Sequence, residues 1–324
     1  MKAIVQDKYG TADVLDFRDI ERPVAGDDDL LIRVHAAGVD MGVWHLMTGL
    51  PYLMRIMGFG FSRPKISVRG REVAGTVEAV GKNVSEFKPG DLVFGICEGS
   101  FAEYVCAKPA LLAHKPANLS FEQAAVVPIS GSTALNGLRK AGRIQTGQKV
   151  LVIGAAGGVG THAVQLAKAF GATVTGVCST SKVDLVRSIG ADEVIDYTRE
   201  DFTDGARRFD LILDTAGRRP LSRLRRALTA EGTIVVVGGE GGDRWLGGFQ
   251  RQMFAPMRAI FSGQKLRGLM FKECREDLLA LKELIEAGKL TPVIDRTHTL
   301  GEAAEAIRYL EQGHARGKVV LSVC

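Results

Sequence analysis

The sequence predicts an α/β protein in two parts: a β-rich, barrel-like region and a doubly wound parallel sheet flanked by helices. Three observations predict it. Residues 1 to about 120 read as short strands broken by Gly and Pro, whereas from about 121 onward helix and strand alternate. A glycine-rich turn then joins the first strand of the second part to a helix.

In chain order, Met1-Lys-Ala-Ile-Val opens directly into a strand. Strands follow at 30–36, 72–80, 92–95 and 101–107, separated by turn signals at Pro23, Gly38, Pro89-Gly90-Asp91 and Gly99. Behind a Ser120 cap, 121–127 starts a helix, and 130–142 follows as another. The apolar run 150–153 is a buried parallel strand, and 161–170 is the helix after its turn. Strands at 171–178, 193–197, 211–214 and 233–237 continue the sheet, with helices at about 182–189 and 220–229 between them. The stretch 240–262 has no clear period and reads as a loop with short helical turns. Residues 265–271 read as an edge strand and 276–287 as an amphipathic helix, and the tail strand 318–323 must return to some sheet.

Composition narrows the class. At 324 residues the chain accommodates two domains, and 46% hydrophobic with 24% charged residues is an ordinary globular balance. The net charge of +5 is mild, and Arg218, Arg219, Arg223, Arg225 and Arg226 read as a solvated helix face, so no nucleic-acid partner is expected. No apolar stretch reaches the ~20 residues that span a bilayer. The N-terminus lacks a signal-peptide apolar segment, so a cytoplasmic location and no membrane partner are expected. Cys97, Cys106, Cys178, Cys274 and Cys324 form no C-x-x-C pair, which argues against a disulfide framework or a cysteine-rich zinc knuckle.

The segment Lys149-Val-Leu-Val-Ile-Gly-Ala-Ala-Gly-Gly-Val-Gly160 carries the chemistry. Strand, tight turn and helix in that order suit a dinucleotide pyrophosphate, because glycines admit the phosphates and the helix start offers unpaired N–H groups. The G-x-G-x-x-G pattern stands here as Ala155-x-Gly157-x-x-Gly160, with Gly158 and Val159 inside it. An acid normally ends the next strand and holds a free ribose 2′-hydroxyl. Here Cys178 is followed by Ser179, Thr180, Ser181 and Lys182, whose hydroxyls and ammonium suit a 2′-phosphate. Either serine can also cap the helix beginning near Lys182. The cofactor expected is therefore NADPH.

Together these segments resemble the medium-chain dehydrogenase/reductase superfamily, in its zinc-free branch of quinone oxidoreductases and enoyl-type reductases. The carrying pieces are Gly70-Arg-Glu-Val-Ala-Gly-Thr-Val-Glu-Ala-Val-Gly81, Phe87-Lys-Pro-Gly-Asp-Leu-Val-Phe94 and Gly99-Ser-Phe-Ala-Glu-Tyr104, then Ala155-Ala-Gly-Gly-Val-Gly160, Gly190-Ala-Asp-Glu-Val-Ile-Asp-Tyr197 and Gly317-Lys-Val-Val-Leu321. The resemblance covers essentially the whole chain. It implies a GroES-like domain at 1–120 and 290–324, a Rossmann domain at 121–289, and a cofactor in the cleft between them.

Zinc alcohol dehydrogenases carry a metal-binding Cys in the segment corresponding to 36–44 and Gly-His-Glu at Gly70-Arg71-Glu72; this chain has Asp40 and Arg71 there. Asp40, His45 and Glu72 make only a makeshift ligand set, so no metal is expected. Without a Lewis acid, hydride transfer suits an acceptor that spreads charge over an enolate or phenolate, hence a small-molecule quinone or α,β-unsaturated carbonyl.

The resemblance also implies roles for single residues. The segment 39–49 lines the substrate side, with Asp40 and His45 as candidate catalytic groups and Trp44 and Tyr52 as pocket walls. His45 either donates a proton or packs beside Trp44 for shape alone. Thr133 meets the nicotinamide ribose and phosphate, Lys182 pairs the 2′-phosphate, and Tyr197 covers it. Thr215, Ala216 and Gly217, with Gly238 and Gly239, end the fourth and fifth strands and line the crevice. Arg316 and Lys318 either reach the cofactor or are exposed. Relatives pair edge to edge through the strand at 265–271, which implies a homodimer. Two other functions stay open: a zinc-free NADP-dependent alcohol or carbonyl oxidoreductase, and an NADPH-binding protein with a non-enzymatic role.

Overall fold

The computed structural model describes residues 1–238, 244–248, 251 and 263–323. They form an α/β protein whose chain divides into two compact units. The first holds Met1–Ile129, Glu273–Ala287 and Pro292–Cys324; the second holds Ser130–Lys272 and Gly288–Thr291. Residues 121–129 and 273–287 thus pack with the first unit, although their helical patterning had placed them with the second. The contacts explain this: Phe121 stacks on His35 with ring centroids 4.2 Å apart, and Asn118 Nδ2 donates to the Ile285 carbonyl at 2.8 Å.

The first unit is built on β1 (Lys2–Gln6), β2 (Leu15–Asp19), β3 (Leu30–Val39), β4 (Glu72–Val80), β5 (Leu92–Ile96), β6 (Tyr104–Ala107) and β7 (Leu112–His114). The second contributes β8 (Lys149–Ile153), β9 (Thr173–Cys178), β10 (Glu193–Asp196), β11 (Phe209–Asp214), β12 (Leu228–Val236) and β13 (Lys265–Gly268). The chain then returns to the first unit for β14 (Ile294–Thr299) and β15 (Lys318–Ser322).

In the first unit the large sheet runs β14-β15-β3-β4-β5-β7, with β6 also paired to β3, and β1-β2 form a separate ribbon. The tail strand therefore finds its sheet centrally, antiparallel to β3 and parallel to β14. Val319, Val320 and Leu321 are fully buried. Strand β6 begins at Tyr104 rather than 101, because Ala102 bridges β1 at Ala3 instead.

The second unit is an all-parallel sheet in the order β10-β9-β8-β11-β12-β13. Covered faces demand apolar strands. Val150, Leu151 and Val152 are accordingly 0% exposed, and the helix Gly158–Ala169 buries Val164, Leu166 and Ala167. Because every strand points the same way, the carboxyl ends of β8 to β12 share one edge of the sheet. That edge positions the nucleotide site.

Candidate active site

The glycine turn is shaped by exclusion of side chains. Gly154 takes φ +81°, and a Cβ there would stand 2.6 Å from Thr215 Oγ1. The tight turn is thus made by Gly154, one residue before the place the motif assigns, which explains why Ala155 is tolerated at that place. A Cβ on Gly160 would stand 2.0 Å from the Gly154 carbonyl oxygen, so helix and strand can close only without it. The helix begins at Gly158 rather than 161, with Gly157 as an N-cap that makes no side-chain hydrogen bond. Its first turn presents Gly158, Val159 and Gly160 N–H groups and the positive end of the dipole.

At the end of β9, Ser179 starts a short turn, Thr180–Lys182, and the helix Val183–Ser188 follows with Lys182 as N-cap. Neither Ser179 nor Lys182 makes a side-chain cap bond. Strand β10 brings Tyr197 alongside: its amide donates to the Cys178 carbonyl at 3.1 Å, and it is 44% exposed. Sequence reasoning missed Asp196. Its carboxylate accepts the Thr180 hydroxyl at 2.5 Å and the Thr198 hydroxyl and amide at 2.7 and 3.0 Å. The Thr180 and Thr198 bonds, with the Arg199 charge, hold its carboxyl below the usual range. Only the pairing of β9 with β10, Cys178 opposite Asp196, brings this acid to the corner.

Strand β11 ends in a second organised turn. The Thr215 hydroxyl and amide both donate to the Ile153 carbonyl, at 2.7 and 3.1 Å, stitching the ends of β11 and β8. Asp214 is 1% exposed; it accepts Gly217 N at 3.0 Å and Arg251 Nη2 at 2.7 Å. Burial pushes the Asp214 carboxyl up, and Arg251 works against that rise. Gly217, at φ +68°, lets the chain turn, and Ala216 packs beside Gly154. Val237 N donates to the Asp214 carbonyl at 3.0 Å, leaving Gly238 at the end of β12 on the same edge. Gly239 and most of 240–262 lie outside the described residues. Thr133 is half-buried on the helix Pro128–Asn136.

In the first unit, Asp40 is 9% exposed and caps the helix Met41–Thr48, its Oδ1 accepting Val43 N at 3.1 Å. His45 Nδ1 lies 2.7 Å from the Leu50 carbonyl oxygen. A carbonyl only accepts, so Nδ1 carries the hydrogen and neutral His45 presents Nε2 as an acceptor. The Trp44 indole N–H bonds Glu311, and its ring packs on the first unit's core. Tyr52 lies under the Arg55 guanidinium, 4.9 Å from the ring centroid. Arg316 is exposed, with its amide donating to Asp295 Oδ2 at 2.9 Å.

Lys318 meets neither expectation for it. It is 3% exposed, and its Nζ pairs with Glu72 Oε2 at 2.5 Å. Glu72, fully buried, also accepts Ile129 N at 2.8 Å. Burial pushes the Glu72 carboxyl up, while Lys318 pulls it down. Space for the pair comes from Gly38, where a Cβ would stand 2.3 Å from Glu72 Oε2. Beside it, Arg71 Nη2 donates to both Glu273 oxygens at 3.0 and 2.8 Å, and Nε stands 3.5 Å from Glu98. These donors do not fit zinc. Asp40 is spent partly on its cap, both Glu72 oxygens are bonded, and a guanidinium holds the place of a ligand. Among the described residues no group of three His, Cys, Asp or Glu could hold a metal.

A parallel sheet with a glycine-lined helix start and organised turns on one strand-end edge is the architecture of a dinucleotide-binding unit. Family models agree: "Alcohol dehydrogenase GroES-like domain" matches residues 26–117 and "Zinc-binding dehydrogenase" residues 189–321. The chain is 34% identical to the mouse (Mus musculus) mitochondrial NAD(P)H oxidoreductase RTN4IP1, covering 100% of this chain and 89% of that one. It is 35% identical to the 2-methylene-furan-3-one reductase of Solanum lycopersicum, covering 99% and 79%. Among solved structures, the quinone oxidoreductase from Coxiella burnetii superposes with a TM-score of 0.85 at 31% identity, covering 100% and 99%. The chain belongs to the medium-chain dehydrogenase/reductase superfamily, in its quinone oxidoreductase-like branch. It is an NAD(P)H-dependent oxidoreductase with a small-molecule substrate, and none of its described helices is long and apolar enough to cross a membrane.

Proposed function

We propose that this protein is an NADPH-dependent reductase of quinones or α,β-unsaturated carbonyls that works without a metal. The observation carrying the choice of NADPH is the corner after β9, where Ser179, Ser181, Lys182 and Tyr197 stand and no acid ends the strand. The Asp196 carboxylate beside the corner is occupied by Thr180 and Thr198, so Thr180 supports the corner through that acid. The fit to a dinucleotide rests on the Gly154 and Gly160 close approaches, which make the turn tight and seat the helix start against the end of β8.

The bound coenzyme supplies the hydride. Gly157 to Gly160 bind its pyrophosphate, Thr215 to Gly217 and Gly238 shape the strand-end crevice, and Thr133 and Arg316 extend the contact. His45 holds the proton. With Nδ1–H fixed on Leu50, it donates from Nε2 only as imidazolium. His45→Gln at full turnover would remove that role.

Strand β13 edges the sheet, and no described strand pairs its outer side. We assign it to a homodimer contact. The deciding experiment is a panel of quinones, enones and aldehydes run with NADPH and NADH, products identified. Saturated C=C bonds or quinols with NADPH support the proposal; alcohols alone, or faster turnover with NADH, overturn it.

A further inference from the structure

Residues 41–71 contain no Asp or Glu, although the chain has 37 of them, and carry Arg55, Arg63, Lys65, Arg69 and Arg71. The rest of the chain is charge-balanced, so the whole excess of +5 sits in this one segment. Arg71 is paired with Glu98 and Glu273, and Arg69 is 4% exposed. Arg63 and Lys65 are exposed, and neither makes an ion pair among the described residues. Asp7, the nearby acid on which Arg63 acts by charge alone, has both oxygens held by Arg18 at 3.0 Å.

The same segment is unusually apolar on its outside. Ile56, Met57, Phe59, Phe61 and Ile66 are exposed, Phe61 at 79% and Ile56 at 68%. They are five of the twelve large apolar side chains left exposed among the described residues, so the clustering belongs to this loop rather than to the surface at large. The loop is folded, not loose: Tyr9 Oη donates to the Gly60 carbonyl at 2.7 Å, and Lys65 N to the Phe59 carbonyl at 2.9 Å. Gly60 takes φ +109°, and a Cβ there would stand 2.1 Å from the Arg63 carbonyl oxygen. Gln6, Asp7, Ser62, Arg63, Lys65 and Ser67 help to line a groove of about 590 Å³. None of Asp40, Trp44, His45 or Tyr52 lines it, so it is distinct from the expected substrate wall.

We propose that residues 56–66 dock the protein on the surface of an anionic phospholipid bilayer. Ile56, Met57 and Phe61 enter the boundary between headgroups and acyl chains, while Arg63 and Lys65 bind lipid phosphates. Apolar side chains or a few cations alone hold a protein weakly; this loop supplies both. A second copy could bury the same apolar side chains, but a self-contact sets an acid-free positive surface against itself. None of the described helices is long and apolar enough to cross a membrane, and docking needs none. Docking is independent of which acceptor the protein reduces.

The full chain is sedimented with vesicles of phosphatidylcholine alone and with phosphatidylglycerol mixed in. Binding is expected only on the anionic vesicles and should weaken as salt rises. Arg63→Gln/Lys65→Gln is expected to lose about 30-fold in partitioning, about fivefold for each cation. Phe61→Ser should lose at least about tenfold, whereas Val24→Ser, at an equally exposed side chain outside the segment, should lose nothing. These side chains are exposed, so the variants should fold, which unchanged melting curves confirm. Phe61→Trp reports depth: lipids brominated in their acyl chains should quench its fluorescence. No binding to anionic vesicles, equal binding to neutral ones, or full binding by Phe61→Ser overturns the proposal. So does a dimer in sedimentation equilibrium that Phe61→Ser dissociates, because the patch then serves a second copy.

Discussion

Replacing Lys318 by Met tests the buried pair at the centre of the first unit. At 2.5 Å and an effective dielectric of about 20, the Coulomb attraction is about 7 kcal/mol. Desolvating two ions offsets most of that, so the pair contributes little net. Removing one partner is different. Glu72 stays fully buried with one bond, from Ile129, and the cost is about 3–5 kcal/mol. That corresponds to a melting-point drop on the order of 10 °C. The pH dependence has a definite sign. Burial already raises the folded Glu72 pKa, and losing Lys318 raises it further. A raised carboxyl is stabilising below its unfolded value, about 4.3, and loses that contribution as pH climbs toward its folded value. The Lys318→Met deficit should therefore be small in mild acid and grow toward neutrality. Urea unfolding of wild type, Lys318→Met and the double variant Glu72→Gln/Lys318→Met across that range measures it. The double variant should recover most of the loss. A deficit independent of pH, or a double variant no better than the single, would refute the reasoning.

Three further outcomes follow from the nucleotide edge. Lys182→Ala should weaken NADPH binding by about tenfold, one charge-assisted contact, and leave NADH nearly unchanged, as calorimetry with both coenzymes would show. Gly160→Val places a side chain against the Gly154 carbonyl, so coenzyme binding should be abolished, as calorimetry with NADPH would show. Burial raises the Cys178 thiol to about 11, so iodoacetamide should leave it unmodified at neutral pH and label it progressively as pH climbs toward that value, read by mass spectrometry.

Much of the fold was legible because apolar periodicity is a local signal. The run 72–80 matches β4 in full, and 265–271 overlaps β13. The glycine turn was legible for the same reason, although the helix begins three residues earlier than its apolar pattern suggests. Long-range charge pairing leaves no such trace. Lys318 reads as either a cofactor contact or an exposed lysine, yet it meets Glu72 across 246 positions. Arg251 sits in a stretch without period, yet it anchors Asp214 at the end of β11. Asp196 sits in the motif that ends at Tyr197, but only strand pairing shows that it faces Thr180.

Strand β15 has a consequence for how the molecule is made. It lies between β14 and β3, so the first unit's large sheet is incomplete until residues 318–322 leave the ribosome. By then the whole of the second unit has been translated. At roughly 5–20 residues per second, β3 and Glu72 wait tens of seconds for their partners. During biosynthesis the nucleotide unit can thus mature first, while the nascent amino-terminal half, two strands and one cation short, is the species that chaperones would meet.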